Sequence, residues 1–88
     1  MQTLFDRPEV RDALRALEPE ACQDFTRLLS PREAVVLQGR FLGHPPRRWE
    51  SLARAMGTRR DLVRQMEIEI IKKFDAWQES RQNEQTIP

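Results

Sequence analysis

Residues 56–67 read MGTRRDLVRQME, and the rest of the chain is arranged around this stretch. Gly57 is expected to end a short helix, and a longer helix begins about two residues later. At about 100° per residue, the longer helix has an apolar stripe formed by Val63, Met66, Ile70, Phe74 and Trp77. Its opposite side carries Arg60, Asp61, Arg64, Gln65 and Ile68. The helix is therefore predicted to bury one side and present charged and amide groups on the other.

The residues before Gly57 favour a shorter helix that precedes the long helix and crosses it. Trp49, Leu52, Ala53 and Met56 are apolar at helical spacing. The small side chain of Ala53 allows a close crossing, and a glycine can adopt positive φ in the turn without a Cβ clash. Together these features predict a helix-turn-helix. Arginine and glutamine in the first turns of its second helix pair well with guanine and adenine edges, although a merely solvated helix has the same periodicity.

Length and composition limit the class of protein. With 88 residues the chain is expected to form one domain of modest stability. Its composition, 39% hydrophobic and 33% charged, does not suggest disorder, and no apolar run approaches the roughly 18 residues of a membrane span. No secretion signal pattern opens the chain. We therefore expect a cytoplasmic protein with no membrane association.

The sequence offers no recognisable catalytic or metal chemistry. One cysteine, Cys22, and one histidine are too few for a disulfide or a zinc site, so Cys22 is expected to be a small buried apolar residue. His44 is expected in a solvated loop. No nucleophile with an adjacent base, no carboxylate pair and no glycine-rich phosphate loop is recognisable. We therefore expect no enzyme activity, no cofactor and no metal.

Charge is unevenly distributed along the chain. Residues 1–30 and 65–88 each have a net charge of −2, whereas residues 40–64 carry seven arginines against Glu50 and Asp61, a net charge of +5. The arginines therefore surround the proposed recognition helix, as contact with DNA phosphates requires.

The N-terminal part is predicted to form two short helices that cover the apolar back of the domain, with partner binding as the alternative role. Asp6 and Glu9 have the spacing of a capping box, and Val10, Leu14 and Leu17 recur at helical spacing. The second helix is expected over residues 19–29, with Cys22, Phe25, Leu28 and Leu29 on its apolar side.

The next helix has a strong start signal. Ser30, Pro31 and Glu33 have the residue types preferred at the N-cap, N1 and N3 positions. The helix is expected to run from Pro31 to about Leu42. It should bury Val35 or Val36, Leu37 and Phe41. Gly39 should cost this helix about 1 kcal/mol relative to alanine, and residues 43–46 should end it.

The long helix is expected to continue to about residue 79, followed by a flexible tail over residues 80–88. Ile68 and Ile71 are predicted to lie outside its buried stripe. No strand alternation or repeat is present, so the fold class is all-α, a compact bundle of about five helices containing a helix-turn-helix. The expected segments are an N-terminal helical extension (1–28), a helix-turn-helix domain (29–79) and the tail (80–88).

Residues 29–41, LSPREAVVLQGRF, together with residues 56–67 and Lys72-Lys73-Phe74, resemble region 4 of the bacterial sigma-70 family. The resemblance covers residues 29–75, about half of the chain. It implies a stand-alone sigma region 4-like domain whose second helix reads the −35 promoter element and which docks on the β flap of RNA polymerase. Since no segment resembles region 2, which melts the −10 element, we expect that this chain alone does not initiate transcription.

The resemblance also assigns roles to matched positions. The implied base contacts are Arg60, Asp61, Arg64 and Gln65. The implied phosphate contacts are Arg40, Arg47, Arg48, Arg54, Thr58 and Arg59. Two positions depart from the family pattern, since Arg59 replaces the usual Ser or Thr cap and Leu62 replaces an arginine.

Two functions remain open from the sequence. The first is a small transcription regulator that binds double-stranded promoter DNA, and RNA polymerase or another transcription protein. The second is a protein-only adaptor, similar to an anti-sigma factor or coactivator, that binds RNA polymerase or a sigma factor without contacting DNA.

Overall fold

Five helices make up most of the described part of the chain. The computed structural model describes residues 7–43 and 45–85, with side chains up to residue 82. The helices are α1 (Pro8–Arg15), α2 (Pro19–Thr26), α3 (Pro31–Val36), α4 (Trp49–Met56) and α5 (Arg60–Gln85), and α3 continues directly as a π-helix over Leu37–Leu42. No strand occurs among these residues, so the predicted all-α bundle is confirmed. None of these helices has the length and apolar character needed to cross a membrane.

Local signals place the starts of the first three helices. Each begins with a proline at its first position, where the missing N–H costs nothing. The capping box of α3 is confirmed: the Glu33 N–H donates to Ser30 Oγ (3.1 Å), and the Ser30 N–H donates to Glu33 Oε1 (2.9 Å). The expected cap at Asp6 lies outside the described residues. Arg7 is the N-cap of α1 without a side-chain capping bond, and it pairs with Glu9 instead.

Two helix ends differ from the prediction. α2 ends at Thr26, three residues before the predicted end at Leu29. α5 continues past Glu79 to Gln85, so the predicted helix end is wrong by six residues. No glycine or proline occurs between Thr58 and Ile87, so nothing in the sequence breaks the helix at the predicted point. Residues 86–88 and the predicted loop residue His44 lie outside the described residues.

All five helices contribute to one core. Its buried members are Val10, Leu14, Phe25, Val36, Leu37, Phe41, Leu52, Ala53, Val63, Met66, Ile70, Ile71 and Phe74. The predicted stripe of α5 is confirmed, with Trp77 half-buried at its end. Ile68 and Ile71 lie outside that stripe by helical spacing, but both are buried. α5 contacts α3, the π-helix and α4, so its buried arc is wider than a single stripe.

The π-helix packs closely against α4. Val36 is buried while Val35 is exposed, and Leu37 and Phe41 are fully buried as predicted. A Cβ at Gly39 would lie 2.7 Å from Leu52 Cδ2. Because Leu52 is itself 1% exposed, its side chain has little room to move. Gly39 therefore permits the close approach of two elements, which outweighs its low helix propensity. Cys22, predicted to be buried, is only half-buried.

Glu33 connects the start of α3 to α5. Lys73 Nζ lies 2.7 Å from Glu33 Oε1. Burial alone would raise the pKa of Glu33, but the hydrogen bonds from Lys73 and from the Ser30 N–H outweigh it, so the pKa lies below its ordinary value of 4.5. A carboxyl group with a lowered pKa in the folded state stabilises the fold above its unfolded-state pKa, and this stabilisation is lost as the pH falls through the folded-state pKa.

We therefore expect the free energy of unfolding to decrease as the pH is lowered from 5 toward 3, and to decrease less steeply in Glu33→Gln. Urea denaturation at a series of pH values measures both slopes. The other carboxylates are present in both proteins, so the difference between the two slopes gives the contribution of Glu33 to the pH dependence of stability. Parallel curves would show that Glu33 does not contribute to the acid sensitivity.

Candidate functional site

The turn between α4 and α5 is built on Gly57. This glycine has φ 66° and ψ 38°, the left-handed conformation that is costly for residues with a Cβ. The Thr58 N–H donates to the Ala53 carbonyl (2.9 Å) and the Gly57 N–H to the Arg54 carbonyl (3.3 Å). These two bonds close α4 in the manner of a Schellman motif. We call residues 49–67 the α4–α5 unit.

A buried polar cluster of Arg40, Trp49 and Glu67 holds the α4–α5 unit against the π-helix. Arg40 Nη2 lies 3.2 Å from Glu67 Oε1, and the Trp49 Nε1–H donates to Glu67 Oε2 (2.8 Å). Arg40 Nη1–H also donates to the Arg47 carbonyl (2.8 Å). Glu67 is 0% exposed and Arg40 3% exposed. The cluster thus joins three elements, and its two charged groups are removed from water.

The prediction that Arg40 contacts a DNA phosphate is wrong for this structure. Its guanidinium is enclosed and bonded to Glu67 and to a backbone carbonyl, so it does not face a ligand. Arg40 was placed among the phosphate contacts by the resemblance to the sigma family, and its burial depends on a carboxylate 27 residues later in the chain. Its actual role is to neutralise Glu67, a carboxylate that the sequence did not single out.

Arg64, a predicted base contact, leans toward α4. Its Cζ lies 4.9 Å from the centre of the Trp49 ring, within the range of a cation–π contact, and Arg40 Cζ lies 5.0 Å from the same ring. Arg64 is half-buried, and its Nε is buried without a hydrogen-bond partner among the described residues. Arg64 therefore contacts the neighbouring helix and is at the same time partly exposed to solvent.

The outward face of α5 is centred on three residues of its first turns. Asp61, Leu62 and Gln65 are all exposed. At about 100° per residue, Gln65 lies about 40° from Asp61, and Leu62 lies about 60° beyond Gln65. We call Asp61, Leu62 and Gln65 the outward face. Arg60 is exposed but lies on the side facing α4, where its Nη1 is 3.1 Å from Glu50 Oε1.

Three predicted phosphate contacts lie together on α4 and the residues preceding it. Arg47, Arg48 and Arg54 line a shallow depression of about 400 Å³ with Ser51, and Arg47 Nη2–H donates to Ser51 Oγ (2.9 Å). We call these three residues the arginine cluster. Glu50 lines the same depression and pairs with Arg60, so the cluster adjoins the start of α5. Arg59 is exposed in the turn and Thr58 is half-buried.

Two features of this region were not predicted from the sequence. Leu62 was given no role, although it is 41% exposed and lines a depression of about 530 Å³ with Arg59, Asp61 and Gln65. An apolar residue outside the buried stripe was the available signal. Glu67 was also given no role, although it lies about 20° from Phe74 around the axis of α5. Its place beside the apolar stripe was a local signal for burial, whereas its partners come from distant parts of the chain.

Comparison of the chain with protein-family models, with curated proteins and with solved structures finds no match. The interpretation of the α4–α5 unit therefore depends on its geometry and on the resemblance carried by residues 29–75.

Proposed function

We propose that the protein is a small sigma region 4-like regulator that binds promoter DNA, with the α4–α5 unit as its helix-turn-helix and α5 as its recognition helix. The observation that carries the proposal is the position of the arginine cluster beside the exposed first turns of α5. Of the groups predicted to contact DNA, all except Arg40 are at least partly accessible.

In this proposal the outward face contacts the bases. The major groove is about 12 Å wide and admits one helix, and Asp61 and Gln65 in the first turns of α5 are exposed. A glutamine amide can pair with the N6 and N7 atoms of adenine, and an aspartate can accept a hydrogen bond from cytosine N4. Arg60 and Arg64, on the side of α5 that faces α4, contact base edges or phosphates near the edge of the groove.

In this proposal the arginine cluster and Arg59 contact the DNA phosphates. Arginine forms two parallel hydrogen bonds with a phosphate. The pair between Arg60 and Glu50 is exposed on both sides, at 53% and 60%, and exposed pairs of this kind contribute little to stability. Arg60 can therefore exchange Glu50 for a DNA phosphate at small cost.

The resemblance extends the proposal to a protein partner and to a location. In this proposal the target is a −35-like promoter element, the partner is the β flap of RNA polymerase, and the protein acts in the cytoplasm. DNA binding is the part that the described side chains support directly, and it is tested first.

We expect Gln65→Ala to weaken binding to a duplex selected by the wild-type protein by about 1–3 kcal/mol and to relax specificity at one base pair. Fluorescence anisotropy with the selected duplex and its single-base variants measures both effects. The matched control is Gln82→Ala, since Gln82 is exposed on the same helix about 25 Å further along. Equal affinity of wild type and Gln65→Ala for every duplex would contradict direct readout.

The same titrations at several salt concentrations test the arginine cluster. Each phosphate contact contributes about 0.9 to the slope of log K against log salt concentration. Arg54→Ala should therefore weaken binding to all duplexes and make the slope shallower by about one. Arg32→Ala, which removes an exposed arginine from α3, should leave the slope unchanged.

A protein-only adaptor is the second candidate function. The observation favouring it is that Asp61, Leu62 and Glu69 make the exposed side of α5 acidic and apolar rather than basic. In that case RNA polymerase or a sigma factor would be captured equally well by wild type, Gln65→Ala and Arg54→Ala, and the purified protein would not bind duplex DNA.

A further inference from the structure

Leu62 is the exposed apolar residue within the outward face. It is one of three large hydrophobic side chains that are exposed among the described residues, with Leu28 and Val35. Leu28 follows α2 and Val35 lies on α3, whereas Leu62 lies in the third position of α5, beside Gln65 at one edge of the outward face. Its position therefore distinguishes it from an ordinary exposed leucine.

The surroundings of Leu62 suit an uncharged, apolar contact within a charged interface. Leu62 shares its depression with the backbone turn at Gly57 and with Arg59 and Gln65. Leu62 and Gln65 are three residues apart on a helix, so their Cβ atoms lie about 5–6 Å apart. That separation is on the order of one to two base-pair steps of about 3.4 Å each. A residue beside Gln65 in the groove therefore faces the adjacent base pairs.

We propose that Leu62 contacts the C5-methyl group of a thymine within one or two base pairs of the base contacted by Gln65. The thymine methyl is the one apolar group that the major groove presents, and apolar side chains recognise it. This inference rests on the proposed DNA-binding function, and it assigns a specificity role to the position where the sigma family pattern has an arginine.

The test uses the same selected duplex, with each thymine replaced in turn by deoxyuridine, which lacks only the methyl group. Wild-type protein should lose about three- to fivefold in affinity at one thymine. Leu62→Ala should bind the unmodified duplex more weakly by a similar factor, and it should not respond to the uridine replacement at that position. The sensitive thymine should lie within one or two base pairs of the position whose specificity is relaxed by Gln65→Ala.

Two further variants serve as controls for the uridine test. Val35→Ala removes an exposed apolar side chain from another helix and should retain the full response to uridine. Leu62→Arg should lose the response and steepen the salt dependence by about one, because a new guanidinium reaches a phosphate. Circular dichroism of each variant verifies that the helical fold is retained.

The outcomes separate this inference from the proposed function. If the wild-type protein binds no duplex, both are overturned. If it binds a selected duplex but no uridine replacement matters, or if Leu62→Ala responds as the wild type does, the role of Leu62 is overturned and DNA binding stands. Loss of polymerase capture by Leu62→Ala with unchanged DNA affinity would also overturn it, and would assign Leu62 to a protein partner.

Discussion

Replacing Glu67 by alanine is expected to lower the free energy of unfolding by about 3–5 kcal/mol, the largest effect among single substitutions in the polar cluster. Glu67 is fully buried and accepts bonds from both Arg40 and Trp49. Its removal leaves the Arg40 guanidinium, 3% exposed, as a buried charge without its counterion. A chain of this length has a total stability on the order of 4–13 kcal/mol, so the expected loss is a large fraction of it.

Urea denaturation followed by circular dichroism measures this loss. The matched control is Glu69→Ala, because Glu69 is exposed on the same helix and its contact with Lys72 spans 3.6 Å at the surface. An exposed pair of this kind contributes less than about 1 kcal/mol. Similar losses for the two variants would show that the Arg40–Glu67 pair does not stabilise the fold.

A double substitution distinguishes the stabilisation contributed by the Arg40–Glu67 pair from the cost of leaving one of its charges buried without a partner. Arg40→Met combined with Glu67→Leu removes both charges and keeps apolar volume, so it should be less destabilising than Glu67→Ala alone. If the double variant is as stable as the wild type but binds DNA more weakly, the cluster acts chiefly to orient α5. If it is less stable than Glu67→Ala, the charge-burial explanation is wrong.

Replacing Phe25 by alanine is expected to lower the free energy of unfolding by about 3–5 kcal/mol as well. Phe25 is fully buried, with its ring centre 5.4 Å from that of Phe74 and 5.3 Å from that of Trp77. The near-perpendicular arrangement with Phe74, at 81°, is a favoured geometry for aromatic pairs. Truncation removes the one buried side chain of α2 and leaves a cavity against Phe74 and Trp77.

Leu28→Ala is the control for Phe25→Ala. Leu28 is 53% exposed and lies three residues beyond Phe25, so its truncation should change the stability by less than about 1 kcal/mol. Thermal denaturation of both variants gives the comparison. If Phe25→Ala is equally mild, α2 is not integral to the core, and the N-terminal helices would be available for a partner.

The positions of the helices followed from local signals in the sequence. Proline, serine and glycine act through their own backbone geometry and their nearest neighbours. The Ser30 capping box and the left-handed turn at Gly57 were therefore predictable without knowledge of the fold. The apolar stripe of α5 was predictable for a similar reason, since helical periodicity depends only on spacing. The continuation of α5 to Gln85 was missed because polar composition was taken as a stop signal where no helix-breaking residue is present.

The candidate site was predictable in part. The sequence identified the exposed Asp61 and Gln65 and the arginine cluster, because these residues lie on the two helices of the turn or next to them. It did not distinguish Arg40 from these arginines, nor Arg64 from Gln65. Arg40 meets Glu67, which is 27 residues later in the chain, and Arg64 meets Trp49. Contacts at such separations depend on how the helices cross, which spacing alone does not specify.

The sequence by itself determined that the chain is helical, where its turns lie and which side of α5 is apolar, because these properties arise from neighbouring residues within a few turns of helix. Only the tertiary structure decided which charges are buried and which face outward. Arg40 and Glu67 enter the interior as a pair, while Leu62 stays at the surface beside Gln65. The reason is that burial of a charge or exposure of a leucine is set by the elements that pack around it, and those elements come from distant parts of the chain.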